Sequence, residues 1–279
     1  MNRLWRELQL FLCAVQFLTR IPTPALHGFQ LDWISRSARY FPLVGLLVGG
    51  ACAAVFWAAS LVWNGWLPAL LAIAAGVLIT GAFHEDGLAD TADGLGGGTT
   101  IAKRLTIMKD SRIGTYGALA LTLTLALKAG ALATLPAGLG AWSLVAAHGA
   151  GRGAAVLAMR ALPYVGDAKT GKWKPSPADL SLAEVLTALA LAGLPLALSP
   201  GGVVGLAVLA GAILAVALAL LARRLLGGYT GDVLGAIEQV FELGFILGVS
   251  ASFALFSAPG AAGQIVALSG CYSALTFGA

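Results

Sequence analysis

Residues 84–94 read His-Glu-Asp-Gly-Leu-Ala-Asp-Thr-Ala-Asp-Gly and directly follow an uncharged apolar segment at 67–83. Asp86, Asp90 and Asp93 are spaced by four and three residues, so a helix here would carry all three carboxylates on one face. Like charges at this spacing repel each other, and a divalent cation bound by carboxylate oxygens would relieve that repulsion. The expected ion is Mg²⁺, because it commonly takes one or two carboxylates and leaves positions for water and phosphate.

The alternative interpretation of an acidic cluster is a solvated helix face. Acidic residues number only 13 of 279 in this chain, yet four of them lie between positions 85 and 93. Solvation alone does not require such a concentration beside an apolar segment, whereas ionisable groups next to membrane spans are functional candidates. We therefore favour a metal site.

The composition is that of a membrane protein. The chain is 58% hydrophobic and 11% charged with a mean hydropathy of +0.87, whereas roughly a quarter of the residues of a soluble protein are charged. Its 37 glycines suit close helix–helix approach in lipid. We expect one all-α integral-membrane domain over residues 1–279. The net charge of +4 without a dense basic stripe fits a positive-inside membrane protein better than a nucleic-acid binder, so no nucleic-acid partner is expected.

The apolar segments predict a polytopic bundle of about eight transmembrane helices embedded in the lipid bilayer. The amino-terminal segment at 1–18 is shorter than the roughly 20 residues that a span needs, so we expect an interfacial or re-entrant helix there. Residues 19–40 read as a polar loop. The oligomeric state stays open, with a homo-oligomer as one alternative. The expected spans are 41–63, 67–83, 113–135, 139–159, 180–198, 203–222, 233–257 and 261–278.

The basic residues predict the orientation. All 17 lysines and arginines except Lys128 and Arg152 lie in the amino-terminal segment or in four connections, and the turns on the opposite side have none. An excess of lysine and arginine marks the cytoplasmic side. We therefore expect a bacterial inner-membrane protein whose acidic motif faces the cytoplasm. The four basic connections are 19–40, 84–112, 160–179 and 223–232.

Basic side chains near the acidic motif are the candidate phosphate ligands. Lys109 and Arg112 follow the motif at the membrane edge and could face an anionic ligand. Arg152 lies inside a predicted span, where an unpaired charge is expensive. It either binds phosphate or forms an ion pair with Glu238 or Glu242, and the sequence leaves both alternatives open.

Two further residues are candidates for chemistry. His84 precedes the acidic run, so it is a candidate metal ligand or general base, with a plain interfacial polar group as the alternative. Asp232 ends the glycine-rich run Gly-Gly-Tyr-Thr-Gly-Asp at 227–232. It is either a fourth metal ligand beside Asp86, Asp90 and Asp93 or a helix N-cap.

Five motifs together resemble the cobalamin-5′-phosphate synthase family, also called adenosylcobinamide-GDP ribazoletransferase. The resemblance covers almost the whole chain. Glu85 stands where the pattern of that family has a hydrophobic residue, and its role stays open. The motifs are the acidic run at 84–94, Met-Lys-Asp-Ser-Arg-Ile-Gly at 108–114, Phe-Leu-Thr-Arg-Ile-Pro at 17–22, Tyr-Phe-Pro-Leu-Val-Gly at 40–45 and Gly-Tyr-Thr-Gly-Asp-Val-Leu-Gly-Ala at 228–236.

The resemblance implies a late step of cobalamin biosynthesis. Adenosylcobinamide-GDP would react with α-ribazole or its 5′-phosphate, and GMP would leave. Cations that bridge the phosphates suit this chemistry, so Asp86, Asp90 and Asp93 would hold Mg²⁺ and act in catalysis. Lys109 and Arg112 would neutralise phosphate oxygens, with the arginine as a bidentate ligand. One aspartate or His84 would accept the hydroxyl proton.

Two other functions remain as alternatives. A CDP-alcohol phosphotransferase also has an Asp-rich helical motif after a membrane span, but its Ala-Arg pair and its longer spacing are missing here. A transporter would use Asp86, Arg152 and Glu238 to line an ion path. Transporters often show internal repeats and charges within broken helices, whereas here the charges gather in the connections.

Overall fold

Uncharged apolar segments of this chain form long helices, because in lipid a helix satisfies its backbone polar groups within the segment. The computed structural model describes residues 3–30, 32–166, 180–199 and 202–257. An isolated bridge between Tyr164 and Tyr229 is the sole β-type pairing within these ranges. The helices are α1 (Arg3–Leu18), α2 (Trp33–Ser37), α3 (Phe41–Ser60), α4 (Trp66–Thr80), α5 (Phe83–Gly97), α6 (Ile101–Ile107), α7 (Thr115–Ala133), α8 (Ala137–Ala161), α9 (Leu182–Ala197), α10 (Val204–Leu226) and α11 (Gly231–Ser257).

The all-α membrane architecture is confirmed, and the described ranges contain fewer clear spans than the eight predicted over the whole chain. Four helices of the described ranges are long and apolar enough to cross a membrane, or five if the bent pair α4–α5 counts as one span. α9 has only 16 residues, and α8 carries His148 and Arg152. The predicted span 261–278 lies outside the described residues. The four clear spans are Trp33–Ser60, Thr115–Ala133, Val204–Leu226 and Gly231–Ser257.

The first span begins earlier than predicted. α2 and the 3₁₀ turn Ala38–Tyr40 run directly into α3, so the end of the expected polar loop at 19–40 is helical. α1 has 16 residues and is about 24 Å long at 1.5 Å per residue, which is short of a hydrocarbon core of about 30 Å. This agrees with the prediction that the amino-terminal segment does not span.

A sharp bend separates α4 from the acidic helix. We predicted that the span at 67–83 would lead straight into the acidic motif, but α4 and α5 meet at 91°. Gly81 and Ala82 both have positive φ, +68° and +59°, and Ala82 is the one non-glycine residue of the described ranges with that conformation. A hydrogen bond from the Arg20 amide to the Ile79 carbonyl oxygen (2.7 Å) holds the bend.

Small residues allow the helices to approach closely. A Cβ atom on Gly45 or Gly49 of α3 would lie 2.3 or 2.7 Å from backbone oxygens of α8, and one on Gly244 or Gly248 of α11 would lie within 2.7 Å of the α10 backbone. Only glycine permits these contacts. They follow the small-residue packing expected of helices in lipid.

Contacts between the basic connections place them at one end of the bundle. The Arg39 Nη2 atom lies 2.7 Å from the Glu184 Oε1 atom at the start of α9. The Tyr229 amide donates to the Pro163 carbonyl oxygen at 2.9 Å, and the Val165 amide donates to the Tyr229 carbonyl oxygen at 2.9 Å. Together with the bond from Arg20 to α4, these contacts gather the connections predicted to share one side of the membrane.

Candidate active site

The acidic helix α5 packs against the start of α11 through two glycines. A Cβ atom on Gly87 would lie 2.8 Å from the backbone oxygen of Asp232, and one on Gly235 would lie 3.3 Å from the Cα atom of His84. This close approach brings the Asp232 carboxylate within electrostatic range of Asp86 and Asp90. The predicted helical spacing of Asp86, Asp90 and Asp93 is confirmed, because all three lie on α5.

A cavity of about 370 Å³, which we call the acidic cleft, lies between α5 and the connection at 108–113. Asp86 and Asp90 line it from the helix, and Lys109 and Arg112 line it from the connection. The structure thus places two of the four predicted metal ligands opposite Lys109 and Arg112, two of the three predicted phosphate ligands. Acidic and basic side chains of one cleft can together bind a cation and the phosphates that it bridges.

Crowding of carboxylates at the cleft shows in the titration of Asp90. α5 turns away from α4 and carries four acidic side chains, so we treat it as lying outside the membrane-spanning segments. Partial burial, followed by repulsion from Asp86, Asp232 and Asp93, raises the pKa of Asp90 to about 7. A group of carboxylates in this state favours a bound cation, because the ion offsets their mutual repulsion.

Asp93 makes a different set of contacts. Its Oδ2 atom accepts a hydrogen bond from the Gly114 amide at 2.7 Å, and its Oδ1 atom accepts one from the Gly117 amide at 2.8 Å. These amides lie at the amino terminus of α7, which has no capping side chain of its own. A carboxylate at this position stabilises the helix through its orphan amides and its dipole. The contacts of Asp93 therefore favour a structural role over the predicted metal and catalytic role.

Arg112 is paired within its own connection. Its Nε and Nη2 atoms donate to the two carboxylate oxygens of Asp110 at 3.0 and 2.7 Å, while 86% of its side chain is exposed. These hydrogen bonds lower the pKa of Asp110 to about 2. The bidentate geometry predicted for phosphate is thus present on Asp110. Lys109 and Arg112 follow the end of α6 in a turn rather than on one helix face.

His84 faces away from the acidic cleft. It is buried, its ring contacts Phe83 edge-on, and it does not line the cleft. Its charged neighbours are Arg152, Glu242, His148 and Lys128, which belong to a buried network between α7, α8 and α11. This position disfavours His84 as the base for a substrate in the cleft.

The buried network gives Arg152 an internal partner. The Arg152 Nη1 atom lies 2.7 Å from Glu238 Oε1, and Lys128 Nζ lies 2.7 Å from both Glu242 Oε2 and Gln239 Oε1. The ion pair that we gave as one alternative for Arg152 is present. Because Arg152 is 1% exposed and does not line the cleft, its position disfavours the phosphate-binding role.

A metal-ligand geometry also occurs inside this network. One ligand atom each of His148, Glu238 and Glu242 lies within 4.8 Å of the others. The Arg152 Nη1 atom is 2.7 Å from Glu238 Oε1 and 3.5 Å from Glu242 Oε1, so a guanidinium already neutralises these carboxylates. We therefore place the candidate metal site at the acidic cleft.

Sequence reasoning missed the partners of Lys128 in this network. Lys128 interrupts an apolar span, which was the available signal, but its partners Gln239 and Glu242 lie on a distant helix. Glu85 connects the two regions, because it lines the cleft while its Oε1 atom accepts a hydrogen bond from the Gln239 side chain at 3.2 Å. Cys13 and Cys52 are buried free thiols.

Comparison with known proteins gives one consistent family. A family model described as cobalamin-5-phosphate synthase matches residues 10–250. A protein of Leptothrix cholodnii named adenosylcobinamide-GDP ribazoletransferase is 46% identical over 256 residues, covering 89% of this chain and 97% of the relative. Proteins of the same name from Shewanella frigidimarina and Shewanella woodyi are 45% and 44% identical, covering 85% and 87% of this chain and 92% and 96% of the relatives. No solved structure matches the chain.

Proposed function

Because this chain belongs to the cobalamin-5-phosphate synthase family, we propose that it transfers the adenosylcobinamide-phosphate moiety of adenosylcobinamide-GDP to α-ribazole or α-ribazole 5′-phosphate. GMP is the leaving group, and adenosylcobalamin or its 5′-phosphate is the product. The relatives named for this activity match this chain over 92–97% of their own length. The CDP-alcohol phosphotransferase and transporter alternatives are not favoured, because the matched family is a different one.

The acidic cleft is the observation that carries the proposal for the site. In this reaction a ribose hydroxyl oxygen bonds to the phosphorus that bears cobinamide, the bond from that phosphorus to the GMP oxygen breaks, and the hydroxyl proton leaves. Lys109 and Arg112 are positioned to neutralise oxygens of the diphosphate. Arg112 must exchange Asp110 for phosphate to do so. An aspartate of the cleft, rather than His84, is the proton acceptor, because His84 does not line the cleft.

We assign the Mg²⁺ site to Asp86 and Asp90, with Asp232 as the third carboxylate. The fit rests on the repulsion among these groups, which raises the pKa of Asp90, and on the preference of Mg²⁺ for carboxylate oxygens. When bound, the ion would neutralise phosphate charge and stabilise the charge that develops on the leaving GMP. Asp93 is left out of this set, since both of its oxygens accept hydrogen bonds from α7.

The experiment is a transfer assay on purified protein in liposomes, with adenosylcobinamide-GDP and α-ribazole as substrates. The parent protein should release GMP and form the corrinoid product only with Mg²⁺. Asp86→Asn and Asp90→Asn should each slow turnover by about a hundredfold or more, because several kcal/mol of transition-state stabilisation is lost. Asp32→Asn is the matched control, since that aspartate pairs with Arg36 away from the cleft.

Two results would contradict these assignments. A parent protein that forms no product would refute the transfer activity. Turnover of Asp86→Asn and Asp90→Asn at the parent rate would refute the metal site while leaving the activity intact.

We further propose that the protein lies in the inner membrane of a bacterium and that its acidic cleft faces the cytoplasm. The support is the gathering of the basic connections at one end of the bundle, together with the preference of lysine and arginine for the cytoplasmic side. The test uses a variant whose native cysteines have been removed. A single cysteine is introduced either at Gly97, in the acidic region, or at Asn64, in the opposite turn. A membrane-impermeant thiol reagent applied from outside should label position 64 alone. Labelling of position 97 from outside would refute the orientation.

A further inference from the structure

A second cavity adjoins the acidic cleft and shares a wall with it. This adjoining cavity has a volume of about 700 Å³ and lies between α6, the segment 164–166 and the start of α11. Met108 and Lys109 line both cavities, and Asp232 lines the adjoining cavity beside them. Its volume is within the range of about 300–1,000 Å³ typical of small-molecule sites.

The chemistry of the adjoining cavity is uneven along its length. Leu105, Met108, Tyr164 and Val165 supply an apolar and aromatic lining. The charged groups Lys109 and Asp232 lie toward the acidic cleft, where Asp232 interacts electrostatically with Asp86. The lining of the cavity is therefore mostly apolar, with charged groups at one end.

The two threonine hydroxyls of the lining have partners. Thr106 Oγ1 donates to the Ala102 carbonyl oxygen at 2.9 Å, within α6. Thr230 Oγ1 donates to Asp232 at 3.4 Å and accepts from the Val233 amide at 3.3 Å. Guanine presents N–H donors along its edge and needs acceptors to satisfy them when buried. The benzimidazole of a ribazole has no ring N–H donor, so it can pack on the side chains of Leu105, Tyr164 and Val165 without needing an acceptor there.

Backbone pairing fixes the wall on the side of Tyr164. The Val165 amide donates to the Tyr229 carbonyl oxygen at 2.9 Å, and the Tyr229 amide donates to the Pro163 carbonyl oxygen at 2.9 Å. The Tyr164 and Tyr229 rings pack edge-to-face with centroids 5.4 Å apart. A Cβ atom on Gly228 would lie 2.0 Å from the Pro163 carbonyl oxygen, so the pairing requires glycine there. The aromatic wall is thus held in place before any ligand binds.

In-line displacement places the acceptor and the leaving group on opposite sides of the transferred phosphorus. A phosphorus held near Lys109, at the wall common to both cavities, would have the acidic cleft on one side and the adjoining cavity on the other. The leaving GMP carries phosphate charge and suits the cleft, which Lys109 and Arg112 line.

We propose that the adjoining cavity is the acceptor subsite: it binds the benzimidazole base of α-ribazole between Leu105, Tyr164 and Val165 and directs the ribose toward Asp232 and Lys109. This assignment rests on the proposed transfer function and adds which substrate occupies which cavity. The diphosphate and its guanosine then occupy the acidic cleft. The separation explains how one protein binds guanine and benzimidazole without exchanging them.

The test fills each cavity with a large side chain. Thr106→Trp places an indole in the adjoining cavity at the cost of a single hydrogen bond within α6. Ile101→Trp is the matched control, because Ile101 is exposed on the same helix and lines neither cavity. Ser111→Trp fills the acidic cleft instead. Steady-state KM values are measured for each substrate in liposomes, and Kd values for α-ribazole alone and GMP alone are measured by equilibrium dialysis.

Thr106→Trp should raise both KM and Kd for α-ribazole at least about tenfold and leave the Kd of GMP within about twofold. Ser111→Trp should show the reverse pattern, and Ile101→Trp should match the parent. A Thr106→Trp variant that weakens GMP and retains α-ribazole would overturn the assignment, and so would one that binds both ligands like the parent. Turnover by the parent in the same assay separates these results from a failure of the proposed function itself.

Discussion

Asp93→Asn is the substitution that best separates structural from catalytic carboxylates on α5. The carboxylate is buried and accepts amide hydrogen bonds of 2.7 and 2.8 Å at the start of α7. Asparagine keeps one acceptor oxygen but presents an NH₂ group to the other amide, so one hydrogen bond to a charged group and part of the interaction with the helix dipole are lost. We expect a destabilisation of roughly 2–4 kcal/mol, equivalent to a fall in Tm of roughly 5–10 °C.

Thermal unfolding in detergent measures this effect directly. Cys13 and Cys52 are buried thiols, 4% and 1% exposed, so a thiol-reactive dye reports their release as the bundle opens. Asp90→Asn is the paired variant. It removes a charge from a crowded cleft and should leave Tm unchanged or raise it slightly while turnover collapses.

The opposite pattern would refute this reasoning. If Asp93→Asn melts at the parent temperature yet loses turnover and its response to Mg²⁺, then Asp93 is a metal ligand, as its spacing on the helix first indicated. The amide contacts would then be incidental to its role.

Three further substitutions probe the cleft and its supports. Arg112→Lys should reduce kcat/KM at least about tenfold, because lysine cannot present two parallel donors to phosphate; initial rates equal to the parent would limit Arg112 to its pair with Asp110. Gly87→Ala would place a methyl group 2.8 Å from the backbone oxygen of Asp232, so both Tm and turnover should fall by amounts typical of overpacking, about 1–3 kcal/mol in stability; an unchanged Tm would contradict the close approach of α5 and α11. Lys128→Met removes the Nζ atom that lies 2.7 Å from Glu242 Oε2, while Arg152 stays 3.5 Å from the same carboxylate, so the protein should be destabilised by about 1–3 kcal/mol, and melting at the parent temperature would show that the contacts of Lys128 are not needed for folding.

The acidic helix illustrates what local sequence predicts well. The i, i+4, i+7 spacing of aspartates predicted a helix, and α5 spans Phe83–Gly97. The same rule predicted one shared role for the three carboxylates. Asp93 differs because α7 docks on it, and that docking depends on Gly114 and Gly117, where a Cβ atom would lie 2.4 Å from the carboxylate oxygens.

Arg152 illustrates the opposite case. Its cost within a span indicated that it needs a partner, but phosphate and glutamate were equally consistent with the sequence. The choice was decided by the register of α8 against α11, which places Glu238 at 2.7 Å. Neither helix alone encodes this register, because each is apolar over most of its surface.

The sequence by itself determined the membrane class, the helices and the gathering of basic residues in a few connections, because these follow from composition and from periodicity within single segments. It also carried the family resemblance, since the motifs are contiguous. Only the tertiary structure decided which charged groups share a cleft. The turn at Gly81 and Ala82 bends the chain by 91° between α4 and α5. The contact of Gly87 with α11 brings Asp232 beside Asp86. Both depend on backbone conformation and on packing between segments distant in sequence, which no local pattern specifies.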